Sequence, residues 1–516
     1  METLSNLLMG FQIAFTPYNL AIAVVGMLLG IIVGVLPGLG GANGCAILIP
    51  VTFVLPPTAA IILLGNMYWG ALYGGAITSI LFNIPGEPWA VATTFDGYPM
   101  AKRGMPGKAL TASFLAHFVG GFFGTLVLTF FAPILAAFAL RFGPPETFSV
   151  MVLTFSAFVG LGGKDPIKTM IATCLGFILA AVGIDIVSGQ LRMTFGTVPL
   201  MGGFNFIVAV IGLFGLGEIF LTVEEGLRIE GVAAKLHKSD IVEVLQAMKR
   251  YTKTLIIGSI IGVWMGFKPG GATPASFMAY GYQKAGAREE EKEEYGKGHI
   301  AGIFAPEAAA QAAGTSAMLP MLTLGIPGSP TAAVILGGLM IWGLTPGPML
   351  FKEKPDFVWG FIASIWIALF IGVIAVMAFA PLFASVLRAP FAILMPIIIF
   401  VCAIGAYAVN NRMIDIWYMI LFGLVGYVFK KLEYNMAPML LALVLGDMAE
   451  STFRQSLIMS QGSPWIFFKP PIALPINIAA LLIFCWPFAG PRVKKLFKRK
   501  AKGEEQSEHV SVPGRS

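Results

Sequence analysis

Charge is scarce in this chain: 12% of its 516 residues are Asp, Glu, Lys or Arg, against 57% hydrophobic, and the mean hydropathy is +0.82. That balance excludes a soluble globular domain and describes an integral membrane protein. Cysteine is scarce too. Cys45, Cys174, Cys402 and Cys485 stand singly in apolar segments with no CxxC spacing, so they provide neither a disulfide framework nor a metal site. The chain lacks HExxH, GxSxG and GxxxxGK[ST], and His117, the one histidine inside a clear apolar span, has no sequence partner. These absences exclude zincin and serine-hydrolase chemistry and ATP use through a P-loop, so no enzyme activity, catalytic residue, metal or cofactor is expected. Residues 1–19 contain Glu2 but no Lys or Arg. Without a basic n-region the first helix is expected to be retained, not cleaved as a signal peptide.

What is present is a series of apolar stretches, clearest at 109–140, 168–188, 204–222, 357–385, 390–409 and 472–490. A helix needs about 20 residues to cross a bilayer. These runs are apolar on every face, whereas barrel strands alternate with period two. The expected fold is therefore an all-α polytopic membrane protein with roughly 10 to 14 hydrophobic segments.

The net charge of +7 comes from loops and the C-terminus, which excludes nucleic acid as the partner it would suggest in a soluble domain. Arg492, Lys494, Lys495, Lys498, Arg499, Lys500 and Lys502 follow the last apolar segment and put the C-terminus in the cytoplasm. The stretch 224–253 carries Arg228, Lys235, Lys238, Lys249, Arg250 and Lys253 and includes an amphipathic helix over about 239 to 251; it should be cytoplasmic as well. The expected organisation is a first membrane half at 1–223, this connecting segment, a second half at 254–490 and a basic tail at 491–516. The first half is entered from outside and the second from inside, which makes them inverted. Lys102, Arg103 and Lys108 then obey the charge rule, and Lys352 and Lys354 do not.

The halves share a motif. Gly26, Gly30 and Gly34 lead into Pro37-Gly38, and Gly258, Gly262 and Gly266 lead into Pro269-Gly270. Further on stand Ile84-Pro85-Gly86-Glu87-Pro88 and Ile326-Pro327-Gly328-Ser329-Pro330. The arm from 254 to 268 is about 15 residues, some 22 Å of helix at about 1.5 Å per residue, too short for a core about 30 Å thick. A re-entrant hairpin and a single broken helix both fit. The glycine stripes read as packing surfaces. The breaker clusters do not: proline enforces the break, glycine admits a ligand to the backbone, and a helix starting after the break offers free N–H groups to an anion. Such duplicated broken helices build the substrate sites of secondary transporters.

The candidate substrate-binding residues are Gly38, Asn43, Ser79, Asn83, Pro85 and Gly86 in the first half. In the second they are Gly270, Thr273, Ser276, Ser316, Pro327, Gly328 and Ser329. Thr78, Thr93, Thr94, Thr315, Thr323 and Thr331 offer further hydroxyls nearby. Ionisable groups in apolar surroundings are costly and mark function, which makes Glu87 and Glu307 the ion-coupling candidates. His117, Asp185 and Glu218 read as packing or interfacial groups, and Glu450 with Arg454 as an i,i+4 ion pair.

These motifs, with Leu48 to Phe53, Gly74 to Gly86, Asp96-Gly97-Tyr98-Pro99, Phe142-Gly143-Pro144-Pro145-Glu146, Gly296-Lys297-Gly298, Ala305 to Ala308, Gly343 to Pro348 and Ser460-Gln461-Gly462, run in an order that resembles the large membrane subunit of tripartite tricarboxylate transporters, the TctA type. The resemblance implies a permease of the bacterial inner membrane, driven by a sodium or proton gradient. It implies as partners a small membrane subunit (TctB type) and a periplasmic solute-binding protein (TctC type) that delivers a carboxylate. Membrane lipid surrounds such a chain, a homo-oligomer stays open, and a cation/proton antiporter or channel is the alternative. Three places depart from the family pattern. Glu87-Pro88-Trp89-Ala90 stands where Thr-Pro-Ser-Ser is usual, Ala310-Gln311 where two asparagines are usual, and Gly41-Ala42-Asn43-Gly44 where Pro and Thr types are usual. Polar donors are lost and an acid and a large aromatic gained, which argues for a different or bulkier carboxylate than a tricarboxylate.

Overall fold

The computed structural model describes residues 2–36, 39–161, 165–185, 188–225, 232, 236–267, 271–385 and 391–488. The tip residues Pro37, Gly38, Pro269 and Gly270 and the basic C-terminal tail lie outside the described residues, as do Arg228 and Lys235. Helices dominate, as expected. In chain order they are α1 (Glu2–Ala14), α2 (Pro17–Val35), α3 (Gly40–Thr52), α4 (Pro57–Phe82), α5 (Val91–Lys102), α6 (Pro106–Ala139), α7 (Pro144–Leu161), α8 (Pro166–Ala180), α9 (Phe206–Val210) and α10 (Gly217–Glu225). Then follow α11 (Lys238–Arg250), α12 (Thr252–Gly266), α13 (Ala272–Ala285), α14 (Glu289–Lys292), α15 (Ala301–Ser316), α16 (Met318–Leu324), α17 (Pro330–Ile341) and α18 (Pro348–Glu353). The last are α19 (Pro355–Ser385), α20 (Phe391–Asn410), α21 (Met413–Lys431), α22 (Ala437–Met459) and α23 (Ala473–Phe488). Among the described residues five helices are long and apolar enough to cross a membrane and seven more are shorter apolar helices, within the expected range.

Two elements differ from the sequence reading. The apolar run 168–188 stops being helical at Ala180, because Gly183 adopts φ 123° and a short antiparallel ribbon pairs Gly183–Ile184 with Leu191–Arg192. Asp185 accepts from the Ser188 N–H at 2.8 Å inside that ribbon. The run 204–222 contains a π-helical turn, Ile211–Leu216, between α9 and α10; such turns insert a residue into the helical ladder.

The chain forms two compact units, residues 1–141 with 172–447 and residues 142–171 with 448–516. The core of the larger unit is built on α4 and α15, which are buried along nearly their whole lengths. Each receives a glycine stripe. A Cβ at Gly26, Gly30 or Gly34 of α2 would come within 2.1–2.6 Å of the carbonyl oxygens of Leu63, Met67 and Ala71 on α4. At Gly258, Gly262 or Gly266 of α12 it would come within 2.3–2.9 Å of those of Ala305, Ala309 and Ala313 on α15. The stripes are packing surfaces that let backbones touch, as small-xxx-small patterns do in membranes. Pro320 removes the N–H that the Ser316 carbonyl would take, so the helix breaks at Ala317 into α15 and α16.

In the smaller unit Phe453 and Phe467 stack and Phe148 tilts against both, with centroids 4.8–5.6 Å apart. The Glu146 carboxylate accepts from the Gly143 N–H at 2.9 Å and starts α7. Gln461 and Gly462, both at positive φ, end α22. Glu450 and Arg454 form the expected i,i+4 pair at 2.5 Å.

Candidate functional site

The two breaker turns have the same backbone. α4 ends at Asn83 in the left-handed region, φ 58°, and the Ile84 N–H returns to the Thr78 carbonyl. α16 ends at Gly325, φ 71°, and the Ile326 N–H returns to the Pro320 carbonyl. Both are six-residue Schellman closures. Glu87 (φ −138°, ψ 160°) and Ser329 (φ −149°, ψ 162°) then hold the same extended conformation before Pro88 and Pro330, where proline is pre-shaped for a helix start. A Cβ at Gly86 would lie 2.4 Å from the Gly34 carbonyl oxygen, and one at Gly328 would lie 2.6 Å from that of Gly266. Each turn is therefore seated on the end of its own half's glycine stripe.

The turns meet the starts of α3 and α13. Gly40 at φ 53° is the first residue of α3, and Gly271 at φ 54° immediately precedes α13. The Glu87 side chain bridges the first pair: Oε1 accepts from the Gly41 N–H, and Oε2 accepts from Trp89 Nε1 at 3.1 Å. Ser329 behaves differently. Its Oγ accepts from the Ala332 N–H at 3.1 Å and so caps its own helix, while the Tyr68 hydroxyl of α4 reaches it from the other half. A Cβ at Gly41 would lie 3.0 Å from the Tyr68 ring and 3.4 Å from Thr331 Oγ1. Gly41, Tyr68 and Glu87 of the first half thus share one polar cluster with Ser329 and Thr331 of the second. A second link between halves is the bond from Trp69 Nε1 of α4 to Thr315 Oγ1 of α15 at 3.0 Å.

The remaining predicted residues are more dispersed. Asn43 is buried on α3, and Thr273 is partly buried in the first turn of α13. Asn83 is exposed, Pro85 partly buried, and Pro327 buried within the turns. Ser79 donates to the Gly75 carbonyl at 2.8 Å, Ser276 to those of Ala272 and Pro306 at 3.1 Å, and Ser316 to that of Ala312 at 2.7 Å. Their protons are engaged by helix backbone.

Behind the cluster lies a buried network. Glu307 on α15 and His117 on α6 are fully buried, with Nε2 3.0 Å from Oε2, and Thr93 Oγ1 on α5 donates to Glu307 Oε1 at 2.5 Å. His117 therefore has the partner that its sequence surroundings did not reveal. Tyr73 and Trp89 present ring edges to the imidazole at centroid distances of 5.0 and 5.4 Å. Trp89 joins the network to Glu87.

Asp96, quoted above only as part of a motif, is a further structural centre. Its Oδ1 accepts from the N–H groups of Gly296, Gly298 and His299 at 2.8–2.9 Å, and its Oδ2 from the Tyr280 hydroxyl at 3.0 Å. The two motifs Asp96-Gly97-Tyr98-Pro99 and Gly296-Lys297-Gly298 are thus halves of one clamp. An acid next to glycine and proline in an apolar chain was the available signal. Gly343 to Pro348 has an analogous role at the second turn, where the Gly347 N–H donates to the Leu322 carbonyl at 2.9 Å.

A polytopic helical membrane protein with duplicated breaker turns meeting at one polar cluster has the architecture of a secondary transporter. Residues 20–441 match the tripartite tricarboxylate transporter TctA family, and the chain belongs to that family. It is 38% identical over 506 residues to an Agrobacterium vitis protein described as an uncharacterized 52.8 kDa protein in the TAR-I ttuC' 3' region, across 96% of this chain and 99% of the relative. A second Agrobacterium vitis protein, described as uncharacterized in the TAR-II ttuC' 3' region, is 38% identical over 216 residues, which cover 42% of this chain and 87% of that protein. No solved structure matches.

Proposed function

We propose that this chain is the permease subunit of a three-part importer in a bacterial inner membrane, with its C-terminus cytoplasmic. It takes up a carboxylate handed over by a periplasmic solute-binding protein, works with a small membrane subunit, and is driven by a cation gradient. The observation that carries the reading is the meeting of the two turns, with Gly41, Tyr68, Ser329 and Thr331 around one point. Helix starts and hydroxyls there suit a carboxylate.

The same geometry bears on substrate class. The Glu87 carboxylate already accepts from Gly41 at the start of α3, so at the first turn the protein supplies the anion itself. The second turn, with Thr273, Ser329 and Thr331, is the half that receives substrate. A second or third substrate carboxylate placed beside Glu87 would be repelled. The substrate is therefore an organic acid of lower charge than a tricarboxylate, and Trp89 gives it an aromatic neighbour.

The test uses the three-component transporter in proteoliposomes with radiolabelled citrate, succinate and benzoate. Wild type is expected to favour benzoate or succinate over citrate. Glu87→Ser combined with Trp89→Ser should move the citrate preference up at least about tenfold, equivalent to ~1.4 kcal/mol. Unchanged preference and rate would remove Glu87 and Trp89 from substrate selection. Counterflow of the carried acid separates a carrier from a channel.

A further inference from the structure

We propose that His117 and Glu307 together bind one proton per transport cycle, so that the cation gradient driving this carrier is a proton gradient; the assignment rests on the transport reading above. The starting observation is a charge problem. Glu307 and His117 are both fully buried and 3.0 Å apart. With a neutral imidazole the pair carries one negative charge, which is expensive in a dry interior. One added proton makes it neutral, whether it rests on Nδ1 of the imidazole or on the carboxyl. Binding and release need no other reactant: the proton enters from the side facing the gradient and leaves on the other.

Among the described residues no cation pairs with the carboxylate. Thr93 from α5 donates a neutral hydrogen bond to it, and Tyr73 from α4 and Trp89 from the first turn lie against the imidazole. Glu87 lies beyond Trp89, and Asp96, further along α5, is committed to the 296–299 backbone. Of the remaining helices around α6 and α15, α12 carries Lys253 at its start, α13 carries Tyr280, Tyr282 and Lys284 in its second half, and α19 carries Asp356 at its start. α16 carries no ionisable group, α1 has only Glu2, α18 has Lys352 and Glu353 at its end, and α11 carries Lys238, Asp240, Glu243, Lys249 and Arg250, of which Glu243 pairs with Lys108 in the first turn of α6 and Arg250 with Glu291.

The pair is also incompletely hydrogen-bonded. His117 Nδ1 and Nε2, Glu307 Oε2, Tyr73 Oη and both amide atoms of Gln311 are buried and make no hydrogen bond of good geometry within the protein, although Nε2 and Oε2 stand 3.0 Å apart. Gln311 follows Glu307 by one helical turn and packs over Gly121, which follows His117 by one turn. Buried polar atoms left open in this way are rare and mark a place completed by something that comes and goes. A sodium ion fits poorly. Hard cations take several oxygen ligands, and here Thr93 donates to one carboxylate oxygen while an imidazole nitrogen, not an oxygen, stands 3.0 Å from the other. Trp89 supplies the link to substrate, since one indole holds Glu87 through Nε1 and lies edge-on to His117. A movement of the first turn that frees Glu87 also changes what covers the imidazole.

Two measurements decide the matter. Infrared difference titration of the purified full-length chain reads protonation without any substrate. A single buried protonation, seen as a carboxyl C=O or an imidazolium ring band, should be present in wild type and Glu87→Gln, lost in Glu307→Gln, and shifted in midpoint in His117→Gln. Its persistence in Glu307→Gln, or its absence from wild type, overturns the proposal. In proteoliposomes of the complete transporter, an inward pH gradient should drive accumulation of whichever of citrate, succinate and benzoate wild type carries. Glu307→Gln should abolish that accumulation, and residual exchange should become insensitive to pH. Accumulation that follows a sodium gradient and ignores pH overturns the proton assignment while leaving carboxylate import standing. If wild type moves none of the three acids, the transport reading fails, and the infrared titration still answers for the proton site.

Discussion

The first and second breaker turns share one backbone, and they differ in their side chains, with Asn83, Glu87 and Trp89 in the first where Gly325, Ser329 and Thr331 stand in the second. Both close with a Schellman bond, both seat a glycine on the end of a glycine stripe, and both hold an extended residue before proline. At that extended position the first half has Glu87, whose carboxylate reaches across to α3, and the second has Ser329, whose hydroxyl caps the helix that follows it. The same backbone thus carries side chains of different reach. The acid of one turn engages the start of α3, and the hydroxyl of the other engages the helix that follows it.

The halves also differ in how the helix after each turn is held. α5 is clamped through Asp96 to the 296–299 loop, whereas α17 contains no acidic residue. Asp96→Ala should therefore produce the largest loss of stability here. Three backbone N–H groups and a tyrosine hydroxyl would lose their acceptor, and each buried donor left unpaired costs ~1–3 kcal/mol. We expect a loss of several kcal/mol, read as a lowered thermal midpoint of the detergent-solubilised chain. An unchanged midpoint would mean that the two post-turn helices are held equally after all.

The sameness of the turns can be tested as directly as their difference. In Gly86→Ala the new methyl would meet the Gly34 carbonyl, and in Gly328→Ala the Gly266 carbonyl, at 2.4 and 2.6 Å. Backbone cannot yield as a side-chain end can, so each substitution should cost ~1–3 kcal/mol. Thermal midpoints of the two variants should fall by similar amounts. A large fall in one and none in the other would show that only one turn is seated as described.

Much of this was legible in the sequence because proline, glycine and hydropathy act locally. The helix α12, its partner α13, the amphipathic α11 and the duplicated turns all follow from residues close together in the chain. The partnership of Glu307 with His117 was not legible, because the two residues stand 190 positions apart in the chain and only the packing of α6 on α15 brings them together. The Asp96 clamp was hidden for the same reason, since its partners are backbone N–H groups with no side-chain signature. Ser79, Ser276 and Ser316 illustrate a third limit. A hydroxyl in an apolar helix reads as a ligand donor in sequence, yet a carbonyl in the preceding turn is always within its reach.

The finest test of the comparison is where each turn's side chain exerts its stabilising effect. Ser329 accepts from the Ala332 N–H at the start of α17, and loss of an N-cap costs ~1 kcal/mol. Glu87 sits at the equivalent position, but its side chain caps no backbone N–H of the helix that follows; Oε1 serves Gly41 and Oε2 the Trp89 indole. Hydrogen exchange should separate the two. In Ser329→Ala the amides at the start of α17 should exchange faster, with the effect confined to that helix. In Glu87→Ala the faster amides should instead lie near Gly41, in α3, and the start of α5 should be unaffected. Faster exchange in α5 would mean that Glu87 caps locally as Ser329 does, and the distinction between the two turns would collapse.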